Sequence, residues 1–591
     1  MLRGAKFFLG RSALAATFLL IAAPAAVAPA APAAVDTVDR AHTLILDMDS
    51  GRNLTPDVWN PYVPSAQRSQ GLHQAMLEPL FMLNYESGQI QPWIGESMTP
   101  SATLDQWTLK LRNGVTWSDG VPYTADDVVF SIQMLINNAP NLNDSANMKE
   151  WVANVNKVDA QTVVFNLNKP NPRFQLDYFS VRIWGSVPIV PKHIWEGQDP
   201  LTFKNYDPAK GWPIFSGAYK LSSISPTEFT YLRDDNWWGA KTGFAHLPEP
   251  LKLIWTWAGP EETRAALMAD GQLDSLMDVT LGTFKAIQAR NPNIIAWYPQ
   301  LPYAWLDPCA RNFEFNTAVA PWDNKDMRWA VNYAIDRNQI VNVAYEGTTL
   351  PSRFFFPAYG PLNTLVDAAD STGLYNKNPI MTHDADMAKQ LIEANGYTMG
   401  SDGFYQKDGQ QLGMTITTSD TATEHQRIIA VEVEQLQAVG INAVQKNEAE
   451  AVWQDNRNFG RFETRQAWDN CGSVNEPWNS LDTLNQKWVV PIGTRASNNY
   501  WRWSNAEYSA IVDKMGTLPL GDPQIQPLFL QAADIYLSEL PTIPITQAKK
   551  LIPFDTTHWT GWPTHDNNYI HATTWWQMTP IILQNLHSTG R

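Results

Sequence analysis

The stretch from Trp107 to Leu135 limits the possible folds more than any other part of this chain. Trp107, Leu109 and Leu111 alternate with polar neighbours, the period of a half-buried strand. Asn113-Gly114 and Ser118-Asp119-Gly120 supply two turns. Thr124 and Asp127 then have the spacing of a capping box, and Val128, Ile132 and Leu135 follow on one helical face. The same alternation continues elsewhere. Strands are expected at Leu44-Ile45-Leu46, Val163-Val164-Phe165, Thr227 to Leu232 and Leu251 to Trp257. Helices are expected over Ser69 to Leu80, over Glu261 to Ala269 closed by Gly271, over Asp326 to Tyr345 closed by Gly347, and over Arg427 to Val439 closed by Gly440. Such alternation argues for an α/β or α+β architecture.

At 591 residues the chain is too long for one hydrophobic core, so two or three domains are expected. Met1 to Ala33 is not read as fold. Arg3, Lys6 and Arg11 form a basic start, Ser12 to Val27 is apolar, and Ala31-Pro32-Ala33 offers small residues for cleavage. The apolar run is short for a membrane span, which favours a cleaved export signal over an anchor. No cysteine lies nearby for a lipid anchor, and no later segment is apolar enough to span a bilayer, so the mature protein is expected to be exported and soluble. Losing the three basic residues takes the net charge from −16 to −19, which disfavours nucleic acid as a partner. Two cysteines, Cys309 and Cys471, are too few for a disulfide scaffold, and their pairing is left open. No Cys/His spacing suggests a metal site, and no cofactor is expected. Tryptophan is the outlier of the composition, with 26 copies.

Several blocks occur together and in order. They are Leu77-Glu78-Pro79-Leu80, the segment Trp107 to Val115 with Trp117-Ser118-Asp119-Gly120 and Tyr123 to Phe130, and Ser216-Gly217-Ala218-Tyr219 with Trp237-Trp238. Asp270-Gly271-Gln272-Leu273-Asp274, Met327 to Arg337, Gln435 to Ile441 and Leu540-Pro541-Thr542-Ile543-Pro544 follow. Together they resemble the periplasmic solute-binding proteins of ABC importers, of the oligopeptide, dipeptide, nickel and oligosaccharide type (family 5, cluster C). The resemblance implies an α/β, bilobal periplasmic-binding-protein fold with a hinge and an inserted extra domain. The implied division is 1–33 signal peptide; 34–82, 205–305 and 526–591 lobe I; 83–204 extra domain; 306–525 lobe II. It also implies a periplasmic, monomeric receptor whose partners are a small solute and a membrane ABC permease. Most of these blocks build scaffold and say little about the solute.

In that family the segment Arg465 to Pro477 corresponds to the loop that closes over ligand. Peptide binders carry an aspartate there for the α-amine, since a buried ammonium requires a carboxylate. Alignment on Asn475-Glu476-Pro477 puts Ser473 at that place; alignment on Trp468 puts Asp469 there. Sugars instead need aromatic planes beside hydrogen-bonding side chains. Trp468-Asp469-Asn470 and Trp478 offer that mixture, as do Trp59-Asn60, Tyr303 with Trp305, and Trp501. Core packing is the competing reading of each tryptophan taken alone, and it is the preferred one for Trp237-Trp238 and Trp575-Trp576. Arg465 could meet a ligand carboxylate or form a strand-end ion pair. The expected solute is an oligosaccharide, with an oligopeptide or modified amino acid held by Asp469 and Arg465 as the alternative. Glu476, Asp469 and Asp482 could supply the carboxylates of a glycosidase, but no nucleophile elbow, phosphate loop or HExxH motif is present. An enzyme is not expected.

Overall fold

The structure is a computed structural model, and it describes residues 38–48, 51–63, 70–181, 185–356, 360–469 and 472–591. The expected export signal lies outside the described residues.

The strand–turn–helix block forms as its sequence dictates. Gln106–Leu111 is a strand with Trp107, Leu109 and Leu111 buried. Thr124 caps the helix Ala125–Asn137 and Asp127 returns a bond to the Thr124 N–H, closing both halves of the box. Such a cap is worth about 1 kcal/mol. That strand belongs to a four-stranded antiparallel sheet, in the order Gly95–Pro100, Gln106–Leu111, Thr162–Leu167, Val152–Lys157. A second four-stranded sheet runs Thr43–Asp47, Lys252–Thr256, Glu228–Arg233, Tyr219–Ile224, its first pair parallel. Both sheets pack into one continuous core.

A five-stranded mixed sheet organises another large core. Its order is Asn442–Glu448, Gly413–Ser419, Thr464–Ala467, Trp305–Phe315, Thr542–Lys550. Its last two strands are long and antiparallel, paired from Trp305 with Lys550 to Glu314 with Thr542. Trp305 packs at one end into the first core, while Phe313, Phe315, Ile543 and Ile545 pack at the other end into the second. The chain therefore crosses between two hydrophobic bodies on a paired ribbon, as a bilobal fold requires. The register slips between Asp307 and Ala310. Pro308 has no N–H to give the ladder, and the Cys309 N–H turns instead to the Asp307 carboxylate at 2.8 Å.

Two helical expectations are corrected. Asp326 to Tyr345 is two helices, Lys325–Ala334 and Arg337–Ala344. Asp336 breaks them because its carboxylate takes the N–H groups of Asn338 and Gln339 and starts a new helix. Of the helix expected from Ser69 to Leu80, the described residues 70–80 form only the wide turn Leu72–Met76, and Pro79 favours extended backbone just before it. The helix read from Arg427 starts earlier, at Thr423, and runs to Ala438. Among the described residues no helix is long and apolar enough to cross a membrane.

Candidate functional site

The strand Thr464–Ala467 decides what its loop can present. Side chains on a strand alternate between faces, so Arg465 and Trp468 leave on opposite sides while Asp469 returns to the side of Arg465. The two sides have different fates.

On the inner side, Arg465 is 1 % exposed and lies 3.3 Å from Glu314 and 3.1 Å from Asp469. Asp469 also takes Arg457 at 2.8 Å. The Arg465 guanidinium stacks over the Trp453 ring at 4.2 Å. Burial, reinforced by the nearby Asp469 charge, holds the Glu314 carboxyl well above the usual carboxylate range. This cluster is sealed from the cavity described next.

On the outer side, Trp468 is 37 % exposed and lines a cavity of about 1190 Å³ lying between elements of the two cores. Its ring is backed by His425 at 4.6 Å, Trp453 at 6.1 Å and the Arg311 guanidinium at 5.3 Å. Burial, with Arg311 adding repulsion, pushes His425 down to about 3, so the imidazole behind Trp468 is neutral. The crossing strands supply Asp307, Cys309, Arg311 and Lys550 to the cavity. Arg311 grips one oxygen of Glu424 through Nε at 2.9 Å and NH2 at 2.7 Å, and the Tyr345 hydroxyl donates to the other at 2.8 Å. Burial would raise the Glu424 carboxyl, but Arg311 outweighs it and holds the group well below the usual range. Burial raises Asp307, against the opposing charge of Lys550 at 3.8 Å.

The electrostatics of the cavity follow from this pairing. Six carboxylates line it against three lysine and arginine side chains. All three cations are engaged: Arg264 with Asp47, Arg311 with Glu424, Lys550 with Asp307. An anionic ligand would meet excess negative charge and no uncommitted guanidinium or ammonium group on the lining. Hydroxyl and amide donors meet carboxylate acceptors. Among the described residues no cluster of three His, Cys, Asp or Glu has the arrangement to hold a metal ion.

The remaining residues singled out in the sequence sit elsewhere, which corrects several expectations. Trp59 is fully buried against Phe229 and Tyr231, and Asn60 spends its amide on the carbonyls of Pro200 and Phe203. Tyr303 packs on Phe284 beneath the Lys285 ammonium. Trp501 is fully buried. Ser473 is also buried, its hydroxyl donating to the Pro477 carbonyl and accepting the Ser480 N–H, so it shapes the turn. Arg465 and Asp469 are tied to each other and do not line the cavity. Trp478 faces a separate groove. Asn470 lies outside the described residues, as does Cys471; Cys309 is disulfide-bonded, and Cys471 is the only other cysteine in the sequence.

Trp575 and Trp576, read from sequence as packing, are buried in the first core as expected, and they also reach the cavity wall. Both line the cavity that Trp468 lines, together with Tyr85 and His73. Trp305 stands behind Trp576 with ring centroids 5.5 Å apart and donates its indole N–H to Glu86 at 2.7 Å. It therefore props the wall and does not form it. Sequence reasoning also missed Arg311, Glu424 and His425. An acidic residue in the first turn of a helix, as Glu424 is, reads in sequence as a partner for the helix dipole. Only the fold brings Arg311 to it.

Comparison with known proteins places this geometry. The family model described as bacterial extracellular solute-binding proteins, family 5 Middle, matches residues 89–489. The periplasmic oligopeptide-binding protein OppA of Salmonella typhimurium is 27 % identical over 503 residues, covering 80 % of this chain and 83 % of that protein. A periplasmic oligopeptide-binding protein of an oligopeptide ABC transporter from Thermotoga maritima superposes with a TM-score of 0.80 at 24 % identity, over 93 % of this chain and all of that one. Its mannohexaose-bound structure superposes with a TM-score of 0.74, over 94 % of this chain and all of that one. At that identity the two structures speak for the fold.

Proposed function

The chain belongs to the bacterial extracellular solute-binding proteins, family 5, and we propose that it captures a neutral oligosaccharide and hands it to a membrane ABC permease. It is a binding protein and not an enzyme. The observation that carries the oligosaccharide reading is Trp468: an indole held by tilted contacts with a neutral imidazole and a second indole and by the Arg311 guanidinium, with 37 % of the residue exposed at the cavity. Such a fixed plane suits the C–H face of a sugar, and the indole loses little entropy on binding because its neighbours already hold it. Trp575 and Trp576 add buried apolar surface to the same lining. The surrounding carboxylates accept hydroxyl protons, and the paired cations leave nothing to attract a uronate or a peptide carboxylate.

In this reading lobe I comprises 34–82, 205–305 and the chain beyond the ribbon strand Thr542–Lys550, the extra domain 83–204, and lobe II the stretch from 306 up to that strand. Leu528, Phe529 and Tyr536 pack into the second core, so the boundary expected at 525/526 moves to the ribbon. The ribbon of Trp305–Phe315 and Thr542–Lys550 is the hinge, and closure brings Trp468 toward Trp576. The protein works in the periplasm after loss of its leader.

The peptide reading is favoured by the names of the relatives, which are oligopeptide-, peptide- and glutathione-binding proteins. Asp469 is a poor amine partner, being committed to Arg457 and Arg465; a peptide amine would have to use a cavity carboxylate such as Asp307 or Glu450. Calorimetric titration with neutral oligosaccharides and with di- to pentapeptides tests the choice. Binding of peptides alone, with no heat or thermal stabilisation from any oligosaccharide, overturns the sugar reading.

A further inference from the structure

A second groove, of about 440 Å³, opens beside the cavity between residues 147–178 on one wall and 478–516 on the other. It falls in the size range of small-ligand pockets in general. Four aromatic side chains line it, Trp151, Tyr178, Trp478 and Trp488, and none of them is fully buried. Three are held in place. The Trp478 indole donates to the Val512 carbonyl at 3.1 Å, and Arg173 stacks on its ring at 4.7 Å. The Trp488 indole donates to Asp482 at 3.1 Å. Lys169 covers one face of Trp151 at 4.2 Å. Planes fixed in this way bind a flat apolar face at low entropic cost.

The charges of the groove repeat the pattern of the cavity. Arg173 is buried and paired with Glu476 at 3.1 Å, with a further bond to the Gly516 carbonyl at 3.0 Å. Lys487 is paired with Asp482 at 2.6 Å. Four carboxylates line the groove against these two paired cations, so this groove too disfavours an anion and suits a neutral polyhydroxylated ligand.

Asn479 connects the two spaces, since it lines both. Its amide lies against Gly472, where an added Cβ would come within 2.2 Å of the Asn479 oxygen. Gly472 also has φ +149°, a backbone that side chains other than hydrogen disfavour. The absence of a side chain at residue 472 leaves room for the Asn479 amide where the two spaces meet.

We propose that the groove is an accessory subsite that takes the distal rings of an oligosaccharide whose first rings lie at Trp468, with Asn479 at the junction. This rests on the oligosaccharide reading above. A ligand filling both spaces spans the walls that Arg173 and Glu476 already join, so chain length adds affinity until the groove is full.

The test is calorimetric titration of the full chain with manno- and cello-oligosaccharide ladders, disaccharide to hexasaccharide, on wild type, Trp488→Ala and Trp151→Ala. The two variants alter opposite walls, and a thermal unfolding scan of each checks that it folds. In wild type, affinity is expected to rise with length; in either folded variant the longest members should lose about tenfold or more while the disaccharides stay within about twofold. A wild-type affinity independent of length, or equal loss across a ladder, overturns the subsite and leaves the oligosaccharide function standing. Failure of every oligosaccharide to bind, with peptides binding instead, overturns both.

Discussion

Two glutamates, each beside an arginine, behave in opposite ways, and the contrast explains how this site is built. Glu424 accepts two bonds from one guanidinium and a third from Tyr345, at the edge of the cavity, and its carboxyl is held low. Glu314 is fully buried, 3.3 Å from an Arg465 that Asp469 also claims, and its carboxyl is held high. The first cluster borders ligand space with its charges neutralised in a fixed geometry. The second is a sealed support beneath Trp468. Charged residues beside Trp468 in the sequence therefore do not reach the cavity by position alone. Which side of the strand they leave from decides it.

Four experiments bear on that contrast. The largest effect belongs to Arg465→Ala, which leaves buried carboxylates short of a partner and opens space over Trp453. It is expected to cost about 3–5 kcal/mol of stability in denaturant unfolding. An unchanged unfolding midpoint with lost binding would break the contrast by making Arg465 a ligand group. Trp468→Ala should do the reverse, weakening oligosaccharide binding by about 2 kcal/mol, roughly 30-fold, with stability changed by under about 1 kcal/mol.

The third experiment uses pH. Because the folded pKa of Glu424 is depressed, its contribution is present above the ordinary carboxylate pKa and lost as pH falls through the folded value. Glu424→Gln should therefore be less stable than wild type at pH 6, with the gap narrowing by about 1 kcal/mol or more below about pH 4. The folded pKa of Glu314 is raised, so its protonated form favours the folded state and stability declines as pH rises from the ordinary carboxylate pKa toward the folded one. Glu314→Gln should accordingly gain on wild type as pH rises above about 5. Parallel pH profiles for the two variants would erase the distinction between the clusters. The smallest effect is that of Asp469→Asn on oligosaccharide affinity, expected to be less than about threefold, within about 0.7 kcal/mol. A loss of peptide binding in this variant would instead return Asp469 to the ligand.

The strand Gln106–Leu111, the capped helix Ala125–Asn137 and the strands Thr43–Asp47 and Lys252–Thr256 were legible because each is set by local periodicity and caps. The break at Asp336 was less so, since one aspartate can sit on a helix or start a new one. The site was harder to read. Trp468 stood out by its place in the loop, but Trp59 and Trp501 looked equally aromatic and polar-flanked, and both are fully buried. Trp575 and Trp576 gave no local sign that they face a cavity. Trp576 is held there by ring contacts with Tyr85 and Trp305, both far from it in the chain, and with the neighbouring His571.

By itself, then, the sequence determined the α/β elements, their order and the family, because strand alternation, helix caps and turn glycines act over a few residues. The tertiary structure alone decided which tryptophans line the cavity, which ion pairs are sealed and that Asn479 borders both cavity and groove. Those outcomes depend on what each side chain meets from distant strands, and a cation's availability is fixed by the carboxylate that the fold sets against it.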